Sequence, residues 1–307
     1  MKSIVLTEEK DGFCGVFRPI HPPAVLLVTV DEADSIIAKA ALKWANKILG
    51  ISALSISPNK EMKGMHNWPL EHVEKSVHYV KDKGYSKIGI WGISAGSNMA
   101  LNAASRIEEI TLTIALSPID FVMWGYINDG KQEQPVVGES VFTWRNSPVP
   151  HMPPPCEHPD YWEVAEKEKR RRGDLVAAKD LFDMAEEKHP LDESILIKVE
   201  NIHGRLLLAG SEDDVLWNTC RAIKRMKQRL EEMAPPLTRV IVDTCLYDHC
   251  THFIFPESMI KTLIPITLFN FILPRVFKEA KGFKKECQQS RMDLDQRIQS
   301  MVKEWLK

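Results

Sequence analysis

Cysteine is sparse and unpatterned in this sequence. Cys14, Cys156, Cys220, Cys245, Cys250 and Cys287 show no paired spacing, which argues against a disulfide framework. Charge of one sign is lacking as well. Forty Lys plus Arg stand against 42 Asp plus Glu, a formal net charge of −2, so neither nucleic acid nor a membrane surface is expected as the main partner. Long apolar runs are missing too. The longest, LIPITLFNFIL from Leu263 to Leu273, holds a Pro and an Asn and is closed by Pro274-Arg275. A membrane span needs about 20 apolar residues, so no span is expected. This run is read as buried core, with an acyl-binding wall as the second option. The opening MKSIVLTEEKDG lacks the apolar centre of a signal peptide. A cytoplasmic location with free thiols is the expectation. No internal repeat is present.

What is present is enough apolar residue for a large core: 44% of 307 residues are hydrophobic, which suits a globular chain. The first twenty residues alternate loosely around Lys10-Asp11-Gly12 and read as a hairpin. AVLLVTV (Ala24 to Val30) is a continuous apolar run of strand length, as in a sheet covered on both faces. Ser35 to Leu49 reads as a helix closed by Gly50, and Ile51 to Ile56 as a strand. Trp68 to Lys83 reads as an amphipathic helix with Leu70, Val73, Val77 and Val80 on one face. Ile88 to Trp91 and Ile110 to Leu116 read as strands flanking a helix at Ser97 to Ile107. Residues 120–198 carry few strand signals, a Pro-rich VPHMPPPCEHP, and a helical pattern at Leu175 to Lys188. The alternation resumes with a strand at Arg205 to Ala209, a helix at Thr219 to Met233 and a strand at Thr238 to Val242. A last helix carries Leu294, Ile298, Met301 and Trp305 on one stripe. Such alternation predicts a mostly parallel sheet with helices on both faces. An insertion as long as 120–198 predicts a lid rather than a bare loop.

The chemistry points to KIGIWGISAGSNMA, Lys87 to Ala100. Gly92-Ile93-Ser94-Ala95-Gly96 is a Gly-x-Ser-x-Gly element between a strand and a helix. Small neighbours let the chain turn sharply there and hold the serine hydroxyl above the sheet, at a helix N-terminus that favours developing negative charge. A serine needs a base, and the base needs an orienting acid. In this arrangement the order is Ser, then Asp or Glu, then His. GSEDDVLW (Gly210 to Trp217) follows one later strand, and LYDHCTHFIFPE, with His249 and His252, follows the next. His252 is preferred because the apolar Phe253-Ile254-Phe255 could floor its imidazole. A metal site from Cys245, His249, Cys250 and His252 fits no common zinc spacing. No metal and no cofactor are expected.

WPLEHVEKSVHYVKDKGYSKIGIWGISAGSNMAL (Trp68 to Leu101), GSEDDVLW and CTHFIFPE resemble, in the same order, the C-terminal hydrolase domain of the acyl-CoA thioesterase / bile acid-CoA:amino acid N-acyltransferase family. The resemblance implies an α/β-hydrolase fold. Serine rather than cysteine at position 94 implies hydrolysis rather than conjugation to an amino acid. The family's acid lies in an Asp-Asp-x-x-Trp element, matched by Asp213 to Trp217. Counting back from Trp217 implies Asp214, whereas counting forward from Gly210 implies Asp213, which stays open as the alternative acid. The family's glycine-rich oxyanion loop is replaced here by Val30-Asp31-Glu32-Ala33-Asp34.

The expectation is therefore a single α/β-hydrolase domain over residues 1–307 with a lid at about 120–198. Ser94 attacks, His252 is the base and Asp214 its partner. The N–H of Ala95 and one from Asp31 or Glu32 form the oxyanion hole. The substrate is a small-molecule acyl thioester, with small carboxylic esters as the alternative, and a homo-oligomer is open. Arg170, Arg171 and Arg172 are read as a solvated helix face before they are read as phosphate ligands. A non-catalytic binding protein of the same fold is the rival from another class, and retention of Ser94, the acids and His252 argues against it.

Overall fold

The computed structural model describes residues 3–128, 133–233 and 240–307. Its centre is an eight-stranded sheet of β1 (Ile4–Leu6), β2 (Cys14–Arg18), β3 (Ala24–Thr29), β4 (Ser52–Ser57), β5 (Lys87–Ile93), β6 (Ile110–Leu116), β7 (Arg205–Ser211) and β8 (Ile241–Tyr247). The spatial order is β1-β2-β4-β3-β5-β6-β7-β8. The first two strands pair antiparallel, and from β4 to β8 every pair is parallel. The apolar runs seen in the sequence are the inner strands, buried on both faces, and alternate residues feed two cores. Val25 and Leu27 enter one, and Leu26 and Val28 the other.

Helices cover both faces. α1 (Ile36–Trp44) lies on one face, and α2 (Glu71–Lys81) and α3 (Ala95–Ala104) lie on the other. α4 (Asp160–Arg172), α5 (Lys179–Lys188) and α6 (Thr219–Met233) join the α2 side. α7 (Glu257–Lys261) and the long α9 (Lys284–Leu306) join the α1 side, with α8 (Ile266–Val276) between them in sequence. Leu294, Ile298, Met301 and Trp305 of α9 are all buried, as their spacing predicts. At one end of α9 Ser290 Oγ donates to the His249 carbonyl (2.8 Å). At the other, the indole of Trp305 donates to Thr111 (2.9 Å) and Lys87 donates to the Trp305 carbonyl (2.8 Å).

Several sequence readings are corrected. The helix expected from Trp68 begins at Glu71. Trp68–Pro69 pairs instead with Phe142–Trp144, because the N–H groups of Trp68 and Leu70 donate to Val141 and Thr143. Residues 120–198 do contain strands: Trp124–Asn128 pairs antiparallel with Glu133–Ser140 through an irregular register, which blurs any alternation. The helix expected from Leu175 starts at Lys179, and an additional helix, α4, precedes it. The strand expected at 238–242 runs over Ile241–Tyr247. Residues 238–239 lie outside the described residues, and β8 is a half-exposed edge strand whose Asp243 and Thr244 weaken the apolar signal. Finally, the apolar run at 263–273 is core on one face only. Within it Leu268, Phe271 and Ile272 are exposed, and only Leu273 is buried.

Candidate active site

Ser94 occupies the single residue between β5 and α3, at φ 57 and ψ −130, a conformation that non-glycine residues hold only where the surroundings enforce it. The enforcement is visible. The N–H of Ser94 donates to the Leu116 carbonyl at the end of β6 (3.0 Å). Thr29 Oγ1 donates to the carbonyls of Gly96 (2.7 Å) and Trp91 (3.0 Å). A Cβ at Gly92 would lie 2.1 Å from the Gly96 oxygen, and one at Gly96 would lie 2.3 Å from the Thr29 oxygen. Both glycines are therefore steric requirements of the turn.

His252 and Asp214 meet in the buried interior. Nδ1 of His252 lies 2.8 and 2.9 Å from the two Asp214 oxygens, and both side chains are almost fully buried. An ionised carboxylate only accepts, so the proton sits on Nδ1 and Nε2 carries the lone pair. Nε2 is buried with no hydrogen-bond partner among the described residues. The carboxylate is fixed in turn by the N–H groups of Leu216 (2.9 Å) and Trp217 (3.4 Å). The Trp217 and Phe253 rings stand edge-on to the imidazole, with centroids at 4.7 and 5.2 Å.

The other acid has a different partner. Asp213 bonds Nδ1 of His249 at 2.8 Å, and both are part-exposed. That hydrogen bond raises the His249 pKa above its ordinary value, and the ring stacks on Phe283 with centroids 3.6 Å apart.

The strand ends converge through a residue that sequence reasoning missed. Ser117, just after β6 and at φ 47, donates its hydroxyl to the His252 carbonyl at 2.5 Å. Its own carbonyl accepts from the Trp217 indole at 3.1 Å. A serine after an apolar run carries no signal of this duty.

Ser94 opens into a cavity of about 630 Å³, with Asp31, Glu32, Lys63, Tyr126 and Glu133 among its walls. A contiguous recess of about 190 Å³ has an apolar wall of Met123, Trp162, Leu181, Phe182 and Trp217. Ala95 starts α3, so its N–H lacks an intrahelical acceptor. Ala95 and Asp31 both line the smaller recess.

The walls carry unusual charge. Asp31 and Glu133 expose surface, yet that surface faces the cavity and protein crowds them otherwise. Desolvation, with help from the Asp31 charge, pushes the Glu133 pKa up to about 7. Desolvation also raises Asp31, against the lowering effect of the Tyr126 hydroxyl, which donates at 3.1 Å. Arg171 and Arg172 are not free for phosphate: they pair with Asp180 and, for Arg172, also with Glu168.

Among the described residues no cluster of three His, Cys, Asp or Glu is placed to hold a metal ion. No helix among them is long and apolar enough to cross a membrane.

The family described as BAAT / acyl-CoA thioester hydrolase C terminal matches residues 68–259. Among curated proteins there is no significant match. In architecture the chain is similar to an esterase from Pyrococcus furiosus, at 14% identity and a TM-score of 0.51, over 100% of this chain and 91% of that one. It is also similar to an esterase from Pyrobaculum calidifontis, at 13% identity and a TM-score of 0.52, over 98% of this chain and 85% of that one. At such identities these likenesses speak to the fold, and the sequence match speaks to kinship. The chain belongs to the BAAT / acyl-CoA thioester hydrolase C-terminal family and is a hydrolase of the α/β-hydrolase type.

Proposed function

We propose that this protein hydrolyses acyl thioesters through a Ser94–His252–Asp214 triad and an acyl-enzyme. The observation that carries the reading is the buried Asp214–His252 pair, whose Nε2 has no hydrogen-bond partner among the described residues, together with an elbow serine in an enforced backbone conformation. Ser94 Oγ attacks the acyl carbon and His252 Nε2 takes the hydroxyl proton. The carbonyl oxygen gains the charge and is met by the N–H of Ala95 and by one from Asp31 or Glu32. Each such donor contributes about 3 kcal/mol in comparable sites. The thiol leaves with the proton from His252. Water, deprotonated by the same nitrogen, then cleaves the Ser94 ester and releases the acid.

The segment 120–198 acts as the lid of this single domain, and the recess beside Trp162, Phe182 and Trp217 takes the acyl chain. A second reading, a carboxylesterase acting on small esters, is favoured by one observation. Asp31, Glu32 and Glu133 wall the cavity against Lys60, which pairs with Asp34, and Lys63, while Arg171 and Arg172 are spent on internal carboxylates, so the balance of charge at the site is acidic and disfavours a polyanionic CoA head group.

The test is thiol release from an acyl-CoA chain-length series beside p-nitrophenyl esters, for wild type and Ser94→Ala. Thioester turnover abolished by Ser94→Ala supports the first reading. Turnover of the simple esters alone supports the second, and turnover that survives Ser94→Ala sinks both.

A further inference from the structure

The apolar run at 263–273 joins the core by one face only and has no role in the chemistry above. α8 carries it, and its two faces differ. Phe269, Leu273 and Val276 pack inward with Phe277 against Val176, Ala177, Val215, Leu216 and Phe253, and Asn270 Oδ1 accepts from the buried Arg291 at 2.7 Å. The opposite face, residues 267, 268, 271, 272 and 275, follows helical spacing and points outward. Leu268 is 44%, Phe271 59% and Ile272 44% exposed. Monomer surfaces rarely show three large apolar side chains together on one helix face without using them.

The charge around this face is equally particular. From Arg275 to Lys285 stand Arg275, Lys278, Lys281, Lys284 and Lys285 against one acid, the half-buried Glu279. Elsewhere arginines such as Arg145, Arg225 and Arg229 are tied to carboxylates. Among the described residues none of these five cations has a carboxylate partner. Arg275 lies over the Phe271 ring at 3.7 Å. Thr267, Phe271, Arg275, Lys281 and Lys284 line one open groove of about 710 Å³. The near-neutral whole-chain charge conceals this local excess.

We propose that α8 is an interfacial helix that seats the protein on an anionic phospholipid surface. Leu268, Phe271 and Ile272 enter the boundary of the acyl region, and Arg275, Lys281 and Lys284 meet lipid phosphates. An apolar helix face flanked by unpaired cations complements such a surface. It does not complement a second copy of itself, because a two-fold pairing would set the two cationic clusters against each other. The inner face of α8 packs on Val176, Leu216 and Phe253, which also line the cavity at Ser94. Docking therefore brings the cavity wall to the membrane, where an acyl substrate would partition.

The experiment is flotation of the full chain with phosphatidylcholine vesicles and with phosphatidylcholine–phosphatidylserine vesicles. Two double variants accompany wild type: Phe271→Ser with Ile272→Ser, and Lys281→Gln with Lys284→Gln. Wild type should float with the serine-lipid vesicles only and lose binding as salt rises. Each variant should bind roughly tenfold more weakly or worse, with unchanged hydrolysis of a soluble ester and unchanged melting. The lysine variant alters only exposed positions, so it decides the matter even where the apolar variant melts early. Absence of flotation, equal flotation of wild type and the lysine variant, or a concentration-dependent dimer abolished by the apolar variant would each overturn the proposal.

Discussion

The hydroxyl of Ser117 donates to the main-chain carbonyl of His252 at 2.5 Å, joining the end of β6 to the loop that carries the imidazole. That carbonyl also accepts from the Ile254 N–H at 3.0 Å, so Ser117→Ala removes one of its two donors and costs about 1 kcal/mol. The expected outcome is a lower melting temperature, together with kcat reduced about tenfold under the proposed triad, as the loop that carries the imidazole loses one of its anchors. Unchanged kcat in a destabilised variant would confine Ser117 to a structural role.

The two adjacent acids should separate cleanly. Asp214→Asn removes the acceptor that holds the proton on Nδ1 of His252, and kcat should fall about 10⁴-fold by analogy with other triads. Asp213→Asn breaks only the part-exposed contact with His249 and should cost less than about tenfold. Steady-state kinetics of both variants check this, and equal losses would return Asp213 to candidacy as the acid.

Asp213 also predicts a titration. Its hydrogen bond raises the His249 pKa, so the pair's stabilisation is full below the ordinary histidine range and fades as pH rises through the raised value. In a proton NMR titration the His249 ring should titrate above its value in the Asp213→Asn variant.

Glu133 makes substrate binding pH-dependent. With its pKa at about 7, the side chain is neutral in mildly acidic buffer and charged in mildly alkaline buffer. KM for an anionic thioester should therefore rise as pH passes about 7, while KM for a neutral ester stays flat, and Glu133→Gln should flatten the first curve. The same shift acts on folding. Folding raises the pKa from 4.5, so the contribution of Glu133 to stability declines between about 4.5 and about 7 and is constant above that.

The elbow tolerates no added atom. A Cβ at position 92 would meet the Gly96 oxygen at 2.1 Å, so Gly92→Ala should lower stability by about 3 kcal/mol through forced backbone movement. Chemical denaturation measures this, and a neutral result would mean that α3 can shift away.

Much of this architecture was legible because its inner strands are apolar on both faces: AVLLVTV and ITLTIAL admit few other readings. The position of Ser94 at a strand-to-helix turn and of His252 in the loop after the last strand was legible through strand ends and chain order. Which of Asp213 and Asp214 bonds His252 was not, since adjacent carboxylates differ only in where the loop turns, and the backbone N–H groups of Leu216 and Trp217 hold the Asp214 carboxylate in place. β8 was misplaced because an edge strand can hold Asp243 and Thr244. The run at 263–273 was misread because apolar content says nothing about whether a covering layer exists. Ser117 had no signal at all: its duty arises from a hydrogen bond across 135 positions of chain.

α9 has a mechanical consequence. Its 23 residues form a rod about 35 Å long. One end is pinned beneath the sheet by Trp305 and Thr111, and the other holds the His249 carbonyl through Ser290. One continuous helix therefore ties the start of β6 to the loop that carries His249, so the two strand ends share an anchor that neither strand supplies.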